Sequence, residues 1–141
     1  MGLDVGDATI GIAVSDGLKL TAQGRETLRR TQVKADVNHI INYILDEHIT
    51  TIVVGLPKNM NNTLGPQAEK TMQFVKQLKK KIQYSTREIH EVDFVMWDER
   101  LTSVAADKMM IQADLSRKKR SQLVDKIAAV YILQGYLDSL R

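Results

Sequence analysis

The order of elements in this chain of 141 residues predicts a three-layer α/β domain, in which a mixed five-stranded sheet carries helices on both faces. Apolar and polar residues alternate in "TIGIAVSD", which is typical of an antiparallel strand. The almost wholly apolar "TTIVVGLP" predicts a parallel strand buried on both faces. Helical spacing of apolar residues between such strands predicts crossover helices. Because no repeat or linker interrupts the pattern, residues 1–141 are predicted to form a single domain.

The first part of the chain predicts an antiparallel meander. Leu3 and Val5 belong to a short apolar strand, and "GDAT" supplies a turn before the second strand. The alternation of that second strand predicts that it is buried on one face only. Asp16 and Gly17 form another turn signal, after which "LTAQGRETL" is predicted as the third strand.

Helices and parallel strands are predicted to alternate from there onward. The spacing of apolar residues predicts an amphipathic helix from Val33 to Ile49, followed by "TTIVVGLP" as the fourth strand. Pro66 is placed like the first residue of a second helix. The apolar face of that helix is predicted to contain Ala68, Met72, Val75, Leu78 and Ile82.

The last part of the chain predicts one more strand and two helices. The strand is "EVDFVMW". The segment 83–91, which leads into it, shows no clear spacing of apolar residues and is predicted as a loop. Helical patterns cover residues 102–113 and the segment from Ser116 to the end, with Ser116 as a candidate cap.

Composition limits the possible functions. There are 20 Lys and Arg residues against 17 Asp and Glu, a formal net charge of +3 that suits a polyanionic partner without requiring one. The absence of cysteine excludes disulfides and thiolate metal sites, so carboxylates or histidines would have to hold any metal. The chain shows no basic and apolar leader, and its apolar runs are too short to cross a bilayer. These features predict a soluble, cytoplasmic protein with no membrane partner.

Carboxylates stand at unexpected places in three predicted elements. Asp4 interrupts an apolar strand, where an ionised group is costly unless it is paired or holds a cation. Asp98 and Glu99 follow directly on the last strand, at the carboxyl end where open α/β sheets place their ligands. Asp125 shares a helical stripe with small alanines, which would let its helix approach the sheet closely.

Each carboxylate also has an ordinary structural interpretation. Asp4 would form part of a turn, Asp98 and Glu99 would pair with Arg100, and Asp125 would pair on the surface with a neighbour. Carboxylates that converge from separate elements instead predict an all-oxygen site for Mg²⁺ or Mn²⁺, which supports hydrolysis of phosphodiester bonds. The residues alone leave both interpretations open.

Three segments carry a resemblance that covers nearly the whole chain: "GLDVGDATIGIAVSDG", "VVGLPKNMNNTLGPQAEK" and "DERLTSVAADKMMIQADLSRKKRSQLVDKIAAVYILQGYLD". In order and spacing they resemble the YqgF (RuvX) family, which has a ribonuclease H-like fold and is described as Holliday-junction resolvases and as nucleases that mature the 5′ end of pre-16S rRNA. The resemblance implies that Asp4, Glu99 and Asp125 are the catalytic, metal-binding residues. Where the family commonly has a hydroxyl and then a basic residue, this chain has Asp7 and Ala8, so one phosphate contact is expected to be missing there.

Basic and polar side chains near these carboxylates are candidate contacts to a nucleic-acid substrate. The cluster at the start of the last helix consists of Arg117, Lys118, Lys119 and Arg120. The loop after the fourth strand contributes Lys58, Asn59, Asn61 and Thr63, for which the resemblance favours substrate contact, and Arg100 beside Glu99 is a further candidate. A solvated helix face and an Asn-rich turn explain the same residues without any ligand.

Two other functions are compatible with parts of the sequence. The opening hairpin resembles the phosphate loop of actin and sugar-kinase ATPases, but these bind nucleotide between two such domains and this chain predicts one. A non-catalytic RNA-binding module would need the basic cluster but not the carboxylates. The leading prediction is a metal-dependent nuclease acting on structured RNA or branched DNA, as a monomer or a homodimer. Cutting both strands of a symmetric junction favours the dimer.

Overall fold

The computed structural model describes residues 1–58, 61–85, 89–99 and 117–141, with the backbone alone for 117–125. Its elements are β1 (Gly2–Val5), β2 (Thr9–Ser15), β3 (Ala22–Arg29), α1 (Val33–Asp46), β4 (Thr51–Leu56), α2 (Pro66–Gln83), β5 (Asp93–Asp98) and α3 (Arg117–Ser139). The predicted helix over 102–113 and the cap at Ser116 lie outside the described residues. Within them, no helix has both the length and the apolar character of a transmembrane segment.

The five strands form one mixed sheet in the order β3-β2-β1-β4-β5. β1 lies at its centre, antiparallel to β2 and parallel to β4, and β4 is also parallel to β5. The predicted three-layer architecture is therefore confirmed. Sequence order did not predict that β1, the first strand of the meander, is also the strand that pairs with β4.

Helices cover both faces of the sheet and create two separate cores. One core joins strand residues to α1 and α2 and includes Leu3, Val5, Ile10, Ile12, Ile40, Ile44, Val54, Phe74 and Leu78. The other lies under α3 and includes Ala13, Val53, Ala129, Ile132, Leu133 and Leu137. The prediction that β2 is buried on one face only is wrong, because α3 covers Gly11 and Ala13 as well.

The first two helices differ in detail from those that the spacing of apolar residues predicts. α1 ends at Asp46 and not at Ile49, because His48 has a positive φ of 52° and the Ile49 amide turns back to donate to the Ile44 carbonyl. In α2, Met72 is 46% exposed, so its predicted place on the buried face is wrong. Phe74 occupies the core instead, since it lies on the side of the helix that faces the sheet.

A polar cluster joins β3 to α1. The Glu26 carboxylate accepts hydrogen bonds from His39 and, at 2.7 Å, from the Tyr43 hydroxyl. Burial raises the pKa of Glu26, but the hydrogen bonds from His39 and Tyr43 outweigh it, so the pKa is lowered overall. Burial and the neighbouring Glu26 raise the pKa of Tyr43. The cluster thus depends on an ionised Glu26.

Candidate active site

Asp4 lies on the central strand and faces α3. Its neighbours Leu3 and Val5 belong to the core on the α1 and α2 side, so alternation along the strand directs Asp4 to the other side. It is partly buried and stands opposite Gly11 in the register of β1 with β2. Asp4 is engaged in a polar or electrostatic interaction, as its position in an apolar strand demands.

Glu99 follows β5 and turns toward the same face. Trp97, two residues earlier, packs in the core under α3, whereas Asp98 has the opposite parity. The Glu99 amide donates to the Leu56 carbonyl at 3.2 Å, which extends the pairing of β5 with β4 by one residue. Of the two adjacent carboxylates, Glu99 is therefore the one on the face of Asp4.

Gly55 lies between these two carboxylates. Leu3 pairs with Val54, so the next step along both strands brings Asp4 beside Gly55. Oε2 of Glu99 lies 3.2 Å from the point that a Cβ atom on Gly55 would occupy. A side chain at this position would enter the space that the carboxylate uses. The sequence interpretation missed Gly55, although a glycine inside a β-branched strand is a signal of close approach.

The third predicted carboxylate belongs to α3, which packs tightly on the sheet. Ala128 and Ala129 are buried, and a Cβ on Gly2 would lie 2.8 Å from the Ala129 carbonyl oxygen. The predicted close approach of this helix is confirmed. Asp125 lies in α3 one turn before Ala129, in the stretch where the structure describes the backbone alone. Among the side chains that are described, no three carboxylates or histidines converge.

α3 runs antiparallel to β1. Its Leu137 shares a cavity with Met1 and Thr51, where β1 and β4 begin, whereas Ala129 lies farther along β1, over Gly2. The amino-terminal half of α3 therefore points toward the edge where β1 and β4 end. That edge also carries Glu99.

Arg30 holds the loop that follows Asp4. Its Nη1 donates to the Gly6 carbonyl at 2.8 Å, and its Nε donates to the buried Asp36 carboxylate at 3.1 Å. The guanidinium also lies over the Phe74 ring, 5.2 Å from its centroid. Three elements thus meet at one side chain, and the backbone just beyond Asp4 has little freedom. The chain pattern gave no signal for this role.

A second group, Gln67 in the first turn of α2, donates to the Val5 carbonyl at 3.2 Å. Val5 is the residue after Asp4, so a second hydrogen bond holds β1 at its carboxyl end. The Asp7 carboxylate lies 3.2 Å from Nζ of Lys70. Both of these side chains are well exposed, so this pair contributes little to stability.

Some of the predicted substrate-contact residues lie in a described turn, and others lie where the structure describes no side chain. Lys58 forms an isolated bridge with Leu64 across the loop, and Asn61 accepts from the amide and hydroxyl of Thr63 at 3.2 and 2.6 Å. These bonds are those of an Asn-based turn. Asn59 and Arg100 lie outside the described residues. Residues 117–120 form the first turn of α3, with the backbone alone described.

Comparison with known proteins supplies a family and close relatives. The model of the RuvX family, described as Holliday junction resolvase, matches residues 1–139. A protein of Clostridium tetani named "Putative pre-16S rRNA nuclease" is 55% identical over 140 residues, which are 99% of this chain and 96% of that protein. Proteins of the same name from Clostridium botulinum (strain Hall) and Desulforamulus reducens are 53% and 51% identical, with the same coverage.

A solved structure is similar in fold. The RuvC protein of T. thermophilus, in complex with a Holliday junction substrate, matches 99% of this chain and 92% of its own with a TM-score of 0.60. The sequence identity is 14%, so this likeness concerns the fold alone. The predicted ribonuclease H-like architecture is thereby confirmed.

Proposed function

This chain belongs to the RuvX family, and on that premise we propose that it is a nuclease of one domain that hydrolyses phosphodiester bonds in structured nucleic acid. The favoured substrate is the precursor of 16S rRNA, because relatives more than 50% identical over nearly their full length carry the name "Putative pre-16S rRNA nuclease". The choice of its 5′ end as the site of the cut is what the family resemblance implies. The family description supports a branched DNA junction as the alternative. The observation that carries the proposal is the position of Asp4 and Glu99 on one face, with Gly55 between them.

The donor set suits a hard divalent cation. Asp4, Glu99 and Asp125 would supply only carboxylate oxygens, the ligands that Mg²⁺ and Mn²⁺ prefer. The missing side chain of Gly55 leaves the Glu99 carboxylate room above β4. A cation bound there would make water a better nucleophile at neutral pH and stabilise the leaving oxygen.

The position of Asp125 along α3 supports its place in this set. Ala129 lies over Gly2, and Asp125 precedes it by four residues, which is about 6 Å of helix. Asp4 follows Gly2 by two residues, which is about 6.6 Å of strand. Because α3 runs antiparallel to β1, both displacements point toward the same edge. Asp125 should therefore lie toward the end of β1 that carries Asp4.

The remaining groups would hold the site and the substrate. Arg30 and Gln67 fix the backbone on either side of the strand end, so the Asp4 carboxylate keeps one direction. The cluster 117–120, at the end of α3 nearest this edge, would bind backbone phosphates and position the scissile bond. Such contacts favour binding to a folded RNA without reading its sequence.

Substitution of the two described carboxylates tests the proposal. Asp4→Asn and Glu99→Gln should abolish cleavage of a pre-rRNA fragment in Mg²⁺ or Mn²⁺ without lowering the melting temperature measured in the absence of metal, since removal of one carboxylate relieves repulsion. Asp98→Asn is the matched control, because it changes the adjacent carboxylate on the opposite face, and it should be milder.

The same assay separates the alternatives. Labelled junction DNA, duplex and single strands are incubated in parallel with the RNA, and preferred cleavage of the junction would assign the DNA substrate. Full activity of a folded Asp4→Asn protein would refute the carboxylate mechanism. Tight RNA binding without turnover by the unaltered chain in either metal would identify a binding module.

A further inference from the structure

A groove of about 690 Å³ lies between α1 and α2, on the sheet face opposite to α3. We call it the α1–α2 groove. Its apolar lining consists of Val33, which is 45% exposed, and the buried Val37 and Phe74. The α2 side of the groove follows one helical stripe from Lys70 through Gln77 to Lys81. The eleven steps from Lys70 to Lys81 correspond to a length of about 16 Å along the helix.

The rim of the α1–α2 groove is cationic. Arg30, Lys34, Lys70 and Lys81 line it, and its described lining contains no carboxylate. Arg30 and Lys70 each contact a carboxylate outside the groove, whereas Lys34 and Lys81 form no ion pair with any described residue. Both are exposed. The groove therefore combines an apolar floor with two lysines whose charge no described carboxylate compensates.

The position of Lys34 is not explained by the stability of its own helix. It lies in the first turn of α1, where the positive end of the helix dipole disfavours a cation. Lys81 lies in the last turn of α2, where a cation is favoured, so helix stability alone could explain it. An exposed valine next to the disfavoured lysine gives the groove entrance both an apolar and a cationic contact.

We propose that the α1–α2 groove binds an acidic amphipathic helix of a partner protein. Apolar residues on one face of that helix would contact the exposed Val33, and flanking Asp or Glu residues would pair with Lys34 and Lys81. A stripe of about 16 Å accommodates three turns of helix. The inference does not depend on the nuclease proposal, since the groove and the candidate active site use different faces of the sheet.

A nucleic-acid strand fits this groove less well. The Phe74 ring is buried and lies under the Arg30 guanidinium, so it offers no free face on which a base could stack. Phosphates would use the lysines but would gain nothing from the apolar floor. An amphipathic helix uses both properties of the groove.

Two synthetic peptides of about 18 residues test the proposal. Both carry Leu at helical spacing on one face; the first has Glu at the flanking positions and the second has Lys there. Fluorescence anisotropy should show binding of the Glu peptide to the full chain, at least about tenfold tighter than the Lys peptide. Lys34→Glu and Lys81→Glu should each weaken the Glu peptide by about fivefold or more, because each reverses one rim charge.

The control variant is Lys80→Glu, which makes the same change in net charge on an exposed residue of α2 outside the groove, and it should leave binding unchanged. Val33→Ser should also weaken binding, which a purely electrostatic contact would not show. Unchanged melting temperatures exclude a folding defect.

Three results would overturn the inference. The first is no binding of the Glu peptide to the unaltered chain, or a loss of affinity in Lys80→Glu as large as that in Lys34→Glu or Lys81→Glu. The second is binding of a single-stranded RNA that depends on Lys34 and Lys81 in the same way, which would assign the groove to phosphates. The third is a concentration-dependent dimer that Val33→Ser dissociates, which would assign it to a second copy of the chain.

Discussion

Gly55→Ala is the substitution that most directly probes the geometry between the two described carboxylates. The added Cβ would clash with Cδ1 of Ile132, well inside the separation of about 3.5–4.0 Å between carbon atoms in contact. Ile132 is fully buried in the core under α3, so the clash must be relieved by a strained rotamer or a shift of the helix. Overpacking of this kind costs about 1–3 kcal/mol. For a chain of this length we expect the melting temperature to fall by ~3–10 °C.

The same Cβ would also disturb Glu99. Its Oε2 is 3.2 Å from the new atom and must move by a few tenths of an ångström. Since small displacements of a reacting group are costly, cleavage should fall by about tenfold even where the protein is fully folded. Activity is measured well below the melting temperature, so the two effects can be separated.

Ile132→Val separates the effect on stability from the effect on activity, because it removes the Cδ1 atom with which the new Cβ would clash. The double variant Gly55→Ala with Ile132→Val should regain most of the lost stability, and the two substitutions should be non-additive. Ile132→Val alone is expected to cost about 0.5–1.5 kcal/mol. Activity of the double variant should stay low, because the contact with Glu99 remains.

The control is Gly17→Ala, since no heavy atom lies within 4 Å of a Cβ at that position. Its stability should change by no more than about 0.5 kcal/mol. A Gly55→Ala protein as stable as the parent would refute the packing argument. A double variant as active as Ile132→Val alone would refute the role of Gly55 in making room for the carboxylate.

Three further predictions concern other parts of the chain. The pKa of Glu26 is lowered, so its hydrogen bonds with His39 and Tyr43 stabilise the fold at pH values above its ordinary pKa of 4.5, and this stability is lost as the pH falls through the lower folded pKa. In Glu26→Gln, the melting temperature should therefore fall less steeply as the pH is lowered. An unchanged acid dependence of the melting temperature would contradict this. Asp125→Glu should lose most Mg²⁺-supported cleavage and recover partly in Mn²⁺, because a tightly packed helix cannot readjust; parental activity of Asp125→Asn in Mg²⁺ would remove Asp125 from the site. Two alanines within 117–120 should flatten the salt dependence of duplex binding by roughly 0.9 per lost contact, and an unchanged slope would assign the cluster to a solvated face.

Local sequence was sufficient for much of the fold. The two-residue period of strands placed Leu3 and Val5 in one core, and the same period directs Asp4 to the opposite face. The alanines at 128 and 129 indicated close packing of the last helix, which the contact with Gly2 confirms. Such features depend on neighbours within one element, so spacing along the chain predicts them.

The relation between elements was decided only by the tertiary structure. Alternation along β5 puts Glu99 and Asp98 on opposite faces, but only the packing of Trp97 under α3 and the pairing of β5 with β4 show that Glu99 is the one against Gly55. Arg30 reaches the loop after Asp4 from 24 residues farther along the chain. Side-chain contacts at such separations depend on strand register and helix docking. Strand register and helix docking are set by the packing of the whole core, so the spacing of apolar residues along one strand or helix does not predict them.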